Sequence, residues 1–184
     1  IAELARLARY PILVLAHVKE LVEQNHQKFK DYGYSAGIYA AGLGKKQTEH
    51  AVTFASVQSL SRNLEQFNGY YSLLVIDECH RVADDSDSQY QRIIQHLKTH
   101  NPQLKVLGLT ATPYRLDKGW IYQQHYHGYV RGQADAFFKK CIYELPLRYL
   151  ISKGYLTQPL LVDAPAARYQ FDELPASYTE AQLD

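Results

Sequence analysis

The chain has 184 residues, 46% hydrophobic and 21% charged. That is the make-up of one folded domain, or one plus a short linker, and it excludes a disordered, collagenous or low-complexity segment. Twenty basic against nineteen acidic residues leave a formal charge of +1, so affinity for nucleic acid has to come from a local site rather than from net charge.

No methionine occurs, and Ile1, Leu4, Leu7 and Ala8 repeat at helical spacing from the first position with no Ser, Thr, Asp or Asn to cap them. This helix is expected to begin upstream, and the chain to be a piece of a longer one. Pro11–Ala16 is a short apolar run and predicts a buried strand. Val18, Leu21, Val22 and Phe29 share a face and predict an amphipathic helix over 18–29. Ser35–Ala40 is a weaker strand, and Gly42–Lys46 reads as a loop. Ala51–Ala55 predicts a strand, and Ser56 opens a helix expected to run to about Phe67, where Asn68-Gly69 ends it. Leu73–Ile76 predicts a strand running into Asp77-Glu78-Cys79-His80. The acidic stretch Asp84–Asp87 suits a helix N-terminus, with the helix continuing to about Lys98. Lys105–Leu109 predicts another buried strand, followed by Thr110-Ala111-Thr112-Pro113.

Residues 116–132 are rich in Tyr, His and Gly, include the single Trp120, and carry no clear period. Pro146–Lys153 predicts a short helix closed by Gly154. Leu160–Val162 suits a strand, and residues 164–175 suit a linker. Residues 177–182 look like a capping box on Thr179, after which the chain stops where a helix would start.

Strands alternating with helices predict an α/β fold, a parallel sheet with helices on both faces, whose ligands bind beyond the carboxyl ends of the strands. One domain over 1–163 and a linker over 164–184 are expected. No uncharged apolar run approaches the ~18 residues of a membrane span, and Glu3, Arg6 and Arg9 are unlike the start of a signal peptide. Two cysteines, Cys79 and Cys141, without a Cys-x-x-Cys, exclude a disulfide framework and a zinc ribbon and fit a reducing, cytosolic compartment.

The strongest chemical signal is the strand that ends in Asp77-Glu78. Asp77 can hold Mg²⁺ through water, and Glu78 can polarise the water that attacks a γ-phosphate. Thr110 and Thr112, at the end of the next strand, offer hydroxyls to a neighbouring histidine or carboxylate. Cys79 has no second base beside it and reads as filler rather than a nucleophile. Tyr114, Arg115, Trp120 and the tyrosines that follow could stack single-stranded bases, but more often such residues pack a small core of their own.

Residues 16–21, Ala-His-Val-Lys-Glu-Leu, and residues 54–60, Phe-Ala-Ser-Val-Gln-Ser-Leu, precede Asp-Glu-Cys-His and Thr-Ala-Thr-Pro in that order. The series resembles motifs Ia, Ic, II and III of the first RecA-like, P-loop NTPase domain of superfamily 2 helicases. Residues 108–115, 118–122, 125–128 and 143–149 are similar to the bacterial RadD DNA-repair helicases. The resemblance implies an enzyme using ATP and Mg²⁺ to move on or unwind DNA, single-stranded or branched, in the bacterial cytoplasm at the nucleoid. It implies that Asp77 binds Mg²⁺ and Glu78 is the base, while His80, Thr110 and Thr112 couple nucleotide state to DNA grip. It implies further that Lys19, Ser56, Gln58 and Ser59 face the DNA backbone, where short hydroxyls and helix N-termini hold phosphates, and that Arg115 joins them.

The phosphate-binding Gly-x-x-x-x-Gly-Lys-Ser/Thr (Walker A) motif is absent, since Gly42-Leu43-Gly44-Lys45-Lys46 has neither the spacing nor the hydroxyl. In the family that loop precedes the first helix, and a second RecA-like domain supplies the arginine finger. The 184 residues alone are therefore expected to hold half an active site and to lack ATPase activity. Two other readings stand beside this one: a related superfamily 2 motor, such as a restriction translocase subunit or an RNA helicase, and a RecA-like scaffold that binds DNA or protein without hydrolysis.

Overall fold

The computed structural model describes residues 1–82, 88–116 and 118–159. By its contacts the chain forms two compact units, the first Ile1–Pro113 and the second beginning at Tyr114. The expected linker and the strand at 160–162, the acidic stretch Asp84–Asp87 and the capping box at Thr179 lie outside the described residues.

The first unit opens with α1 (Ala2–Leu7), which has no side-chain cap. It continues through β1 (Ile12–Ala16), α2 (Lys19–Asp31), β2 (Gly37–Ala40), β3 (Lys45–Lys46), β4 (Val52–Ser56), α3 (Val57–Ser61), β5 (Leu73–Asp77), α4 (Gln89–His100) and β6 (Lys105–Leu109). The sheet order is β3-β2-β4-β1-β5-β6, and every pairing is parallel except β2 with β3. Central β1 is apolar throughout because both its faces are covered. Ile12, Val14 and Ala16 cluster with Val22 and Phe29 of α2, and Leu13 and Leu15, which point the other way, are equally buried. On α4, Ile93 and Leu97 are buried, and α4 packs on α3. The fold is therefore α/β with a mostly parallel central sheet.

Three local expectations change. The stretch 42–46 is not a plain loop: a 3₁₀ turn over Ala41–Leu43 is followed by Gly44 at φ 64°, which reverses the chain so that Lys45 and Lys46 pair with Ala40 and Tyr39. The helix opened by Ser56 stops at Ser61, because the Asn63 amide donates to the Ser59 carbonyl at 2.8 Å. The chain then tightens into a 3₁₀ turn over Leu64–Phe67. Finally, β6 is not buried. It pairs with β5 alone among the described strands, and Leu109 is 39% exposed.

In the second unit β7 (Tyr114–Arg115) pairs antiparallel with β8 (Gly119–Trp120), and β9 (Tyr122–Gln124) pairs parallel with β10 (Phe138–Lys140). Helix α5 (Leu147–Ser152) starts after Pro146. It is closed by Gly154 at φ 73°, with the Tyr155 amide returning to the Leu150 carbonyl at 2.9 Å.

Candidate functional site

The parallel register brings four strand ends to one edge of the first unit. Ala16 is level with Ser56, and Asp77 with Leu109. Lys19, Ser56–Ser59, Asp77–His80 and Thr110–Thr112 all follow from these ends, at the edge where sheets of this kind bind ligands.

At the end of β5 the chain turns sharply. Glu78 has φ 51°, a left-handed conformation that costs a non-glycine residue roughly 1–2 kcal/mol and gathers at functional sites. The turn swings Glu78 away from the strand and lets its amide donate to Asp77 Oδ1 at 3.1 Å. Asp77 Oδ2 accepts from the Asn25 side chain on α2 at 2.7 Å. His80 Nδ1 lies 2.9 Å from Thr110 Oγ1, 3.3 Å from Thr112 Oγ1 and 3.3 Å from Glu78 Oε2. The Thr112 amide donates to Thr110 Oγ1 at 3.0 Å. The histidine thus joins the acidic pair to the threonines, and the three expected coupling residues meet. Cys79 is buried, and burial beside Glu78 and Asp77 pushes its thiol up to about 12, so it stays protonated and unreactive.

Mg²⁺ fits the acidic pair in one way. Among the described residues no group of three or more His, Cys, Asp or Glu side chains could hold a metal ion. Mg²⁺ retains several waters and needs only one or two carboxylates together with substrate phosphates. Asp77, with one hydrogen bond on each oxygen, keeps lone pairs for such waters.

A second feature on this unit is a cavity of about 280 Å³ lined by Lys19, Ser56, Gln58 and Ser59 together with Lys46 and Arg62. The structure brings the first four to one cavity and adds two cations. Lys46 arrives through the hairpin of β2 with β3, and Arg62 through the early end of α3. Gly42 lies against the Lys19 side chain, which a β-carbon there would meet at 3.1 Å. Ser56 and Ser59 hydroxyls are 2.8 Å apart, Ser56 Oγ also accepts the Ser59 amide at 3.3 Å, and Ser59 Oγ accepts the Ala41 amide at 2.8 Å. Two hydroxyl protons share one hydroxyl–hydroxyl bond, so one proton has no acceptor among the described residues. Three cations and a spare donor suit an anion such as a phosphate.

Arg115 stands in β7, in the second unit. There the rings pack on each other. Trp120 lies between Tyr114 and Tyr122, at 5.5 and 5.7 Å, with the Arg131 guanidinium 4.2 Å from its centre. His125 is 3% exposed, stacks on Tyr129 at 4.6 Å and meets Glu144 at 2.7 Å. Arg131 bonds both Glu144 and Tyr122. Trp120, Tyr122 and His125 are engaged in this packing, while Tyr114 and Tyr129 stay 48% and 44% exposed.

Strand order and site geometry define an α/β domain whose mostly parallel sheet gathers its polar residues at the strand ends. The family comparison is more particular: residues 1–115 match the family described as type III restriction enzyme, res subunit, and the chain belongs to it. No curated protein matches the chain. Among solved structures it is similar to the UvsW helicase from bacteriophage T4, with 20% identity and a TM-score of 0.48. The likeness covers 61% of this chain and 40% of the phage chain, so less than half of that protein is spanned.

Proposed function

We propose that the chain carries the hydrolytic carboxylates and part of the nucleic-acid track of an ATP-dependent motor acting on DNA. The observation that carries this is the acidic pair, bridged by His80 to Thr110 and Thr112, on the same unit as a cationic cavity. Bound Mg²⁺–ATP would supply an electrophilic γ-phosphate. Asp77 would hold the metal's waters, and the Glu78 carboxylate would accept a proton from the attacking water. His80 Nδ1 lies within 3.3 Å of Glu78, Thr110 and Thr112, so a shift of Glu78 would reach the threonines through it. Lys19, Lys46, Arg62 and the Ser56–Ser59 pair hold backbone phosphates without reading sequence, and Arg115, in the second unit, is a separate candidate contact to the strand. The finer proposal, a RadD-type repair motor working with a second RecA-like domain in the bacterial cytoplasm, is supported by the likeness of residues 108–115, 118–122, 125–128 and 143–149 to that group.

The test is binding of a labelled single strand by the intact protein carrying Lys19→Ala with Arg62→Ala, over a range of salt. Loss of two phosphate contacts lowers the salt slope by roughly 1.4 for a single strand, while nucleotide affinity stays as in the wild type. An unchanged slope would remove the cavity from the track.

A further inference from the structure

Asn25 is the seventh residue of the thirteen in α2, a place where asparagine is a poor helix former and usually signals a specific partner. Its partner is 52 positions away in the chain, Asp77 Oδ2 at 2.7 Å, in a partly buried setting. An ionised carboxylate only accepts, so the amide nitrogen is the group that faces it. The other oxygen, Oδ1, takes the Glu78 amide. Each oxygen is thus held by one donor from a different element, which fixes the plane of the carboxylate and aims its remaining lone pairs. A lone backbone bond at Oδ1 leaves the group free to turn about its side-chain torsion; the Asn25 amide removes that freedom.

Helix α2 also begins with Lys19, which lines the cationic cavity. The two residues are six apart, about 9 Å along the axis of one helix. A single rigid element therefore touches both the phosphate-binding cavity and the acidic pair. Nothing in the motif series assigns Asn25, and a purely structural anchor for α2 would be served as well by an apolar residue in that helix.

We infer that Asn25 is a positioning residue for Asp77: its amide holds the carboxylate in the orientation that receives a divalent cation, and links that orientation to the helix carrying Lys19. The inference rests on the proposal that Asp77 serves a metal. It is tested in the intact protein by titrating Mn²⁺ in the presence of saturating ADP and reading free Mn²⁺ by its paramagnetic resonance, with nucleotide affinity measured separately in EDTA. Asn25→Leu, similar in volume but without a donor, weakens Mn²⁺ binding about tenfold, the usual cost of losing an outer partner of a metal ligand. Nucleotide affinity without metal does not move. Asn25→Gln, which keeps the amide, restores part of the loss. Should the leucine variant fail to fold, Asn25→Ser, too short to reach Asp77, carries the comparison.

Asp77→Asn is the control. If it weakens Mn²⁺ and Asn25→Leu or Asn25→Ser does not, the acidic site stands and the inference is overturned. If Asp77→Asn leaves Mn²⁺ binding unchanged, the metal reading itself fails, and the inference with it.

Discussion

The sheet unit and the segment after Pro113 bury their side chains by different means. In the first, aliphatic strands lie under helices, and β1 is wholly enclosed on both faces. In the second, strands are two or three residues long, and a buried histidine is held by a half-exposed carboxylate and guanidinium and a stack of rings. Apolar burial is non-directional and tolerates neighbours of about the right size, whereas a polar interior holds only while each member keeps its partner. The first arrangement supplies a stiff edge at the strand ends, and the second depends on a few bonds.

The largest expected effect falls in the sheet. Phe54 is buried against Phe29 and His26, and Phe54→Ala is expected to cost about 3–5 kcal/mol, read as a shifted thermal transition in far-ultraviolet circular dichroism. The matching cut in the second unit is Glu144→Ala, which strips His125 and Arg131 of a shared acceptor and costs about 1–3 kcal/mol. The single tryptophan, Trp120, lies in that unit, so its emission follows this change specifically. Equal shifts of both signals in both variants would break the contrast.

A smaller effect concerns pH. The Cys79 thiol is pushed from an ordinary 9.0 to about 12, chiefly by burial, so the unfolded chain ionises first and binds fewer protons between those values. Stability is then full below pH 9 and falls as pH rises from about 9 towards 12. Cys79→Ala flattens part of that slope. Tyr39, Tyr71, Tyr90 and Tyr122, which burial also pushes up, contribute to the rest. At pH 8 a thiol reagent should modify the half-buried Cys141 and spare Cys79.

What the chain shows on inspection is what is local. Apolar runs mark β1, β4 and β5, and Asp-Glu-Cys-His with Thr-Ala-Thr-Pro marks the strand ends where His80 meets Thr110 and Thr112. The features that escaped depend on three-dimensional neighbours. Lys46 enters the cavity only because Gly44 folds the chain back, and Arg62 only because the Asn63 side chain ends α3 early. Asn25 looks like any polar helix residue until α2 crosses to Asp77. The left-handed turn at Glu78 has no residue signature at all. In β6 an apolar run led to an expectation of burial, yet its exposure is set by its place at the end of the sheet order. Residues 116–132 resisted assignment because period, the main signal for strands and helices, is missing where the interior is a polar network.

The central claim is that Glu78 is the base of a nucleic-acid-stimulated ATPase. The most direct measurement compares ATP turnover by the intact protein and its Glu78→Gln variant, with and without single-stranded DNA, alongside nucleotide binding. The account predicts that DNA raises turnover in the wild type and that Glu78→Gln lowers it by about 10²-fold or more while ATP is still bound. Turnover that survives Glu78→Gln undiminished, or a wild type that binds DNA and hydrolyses nothing, would contradict it.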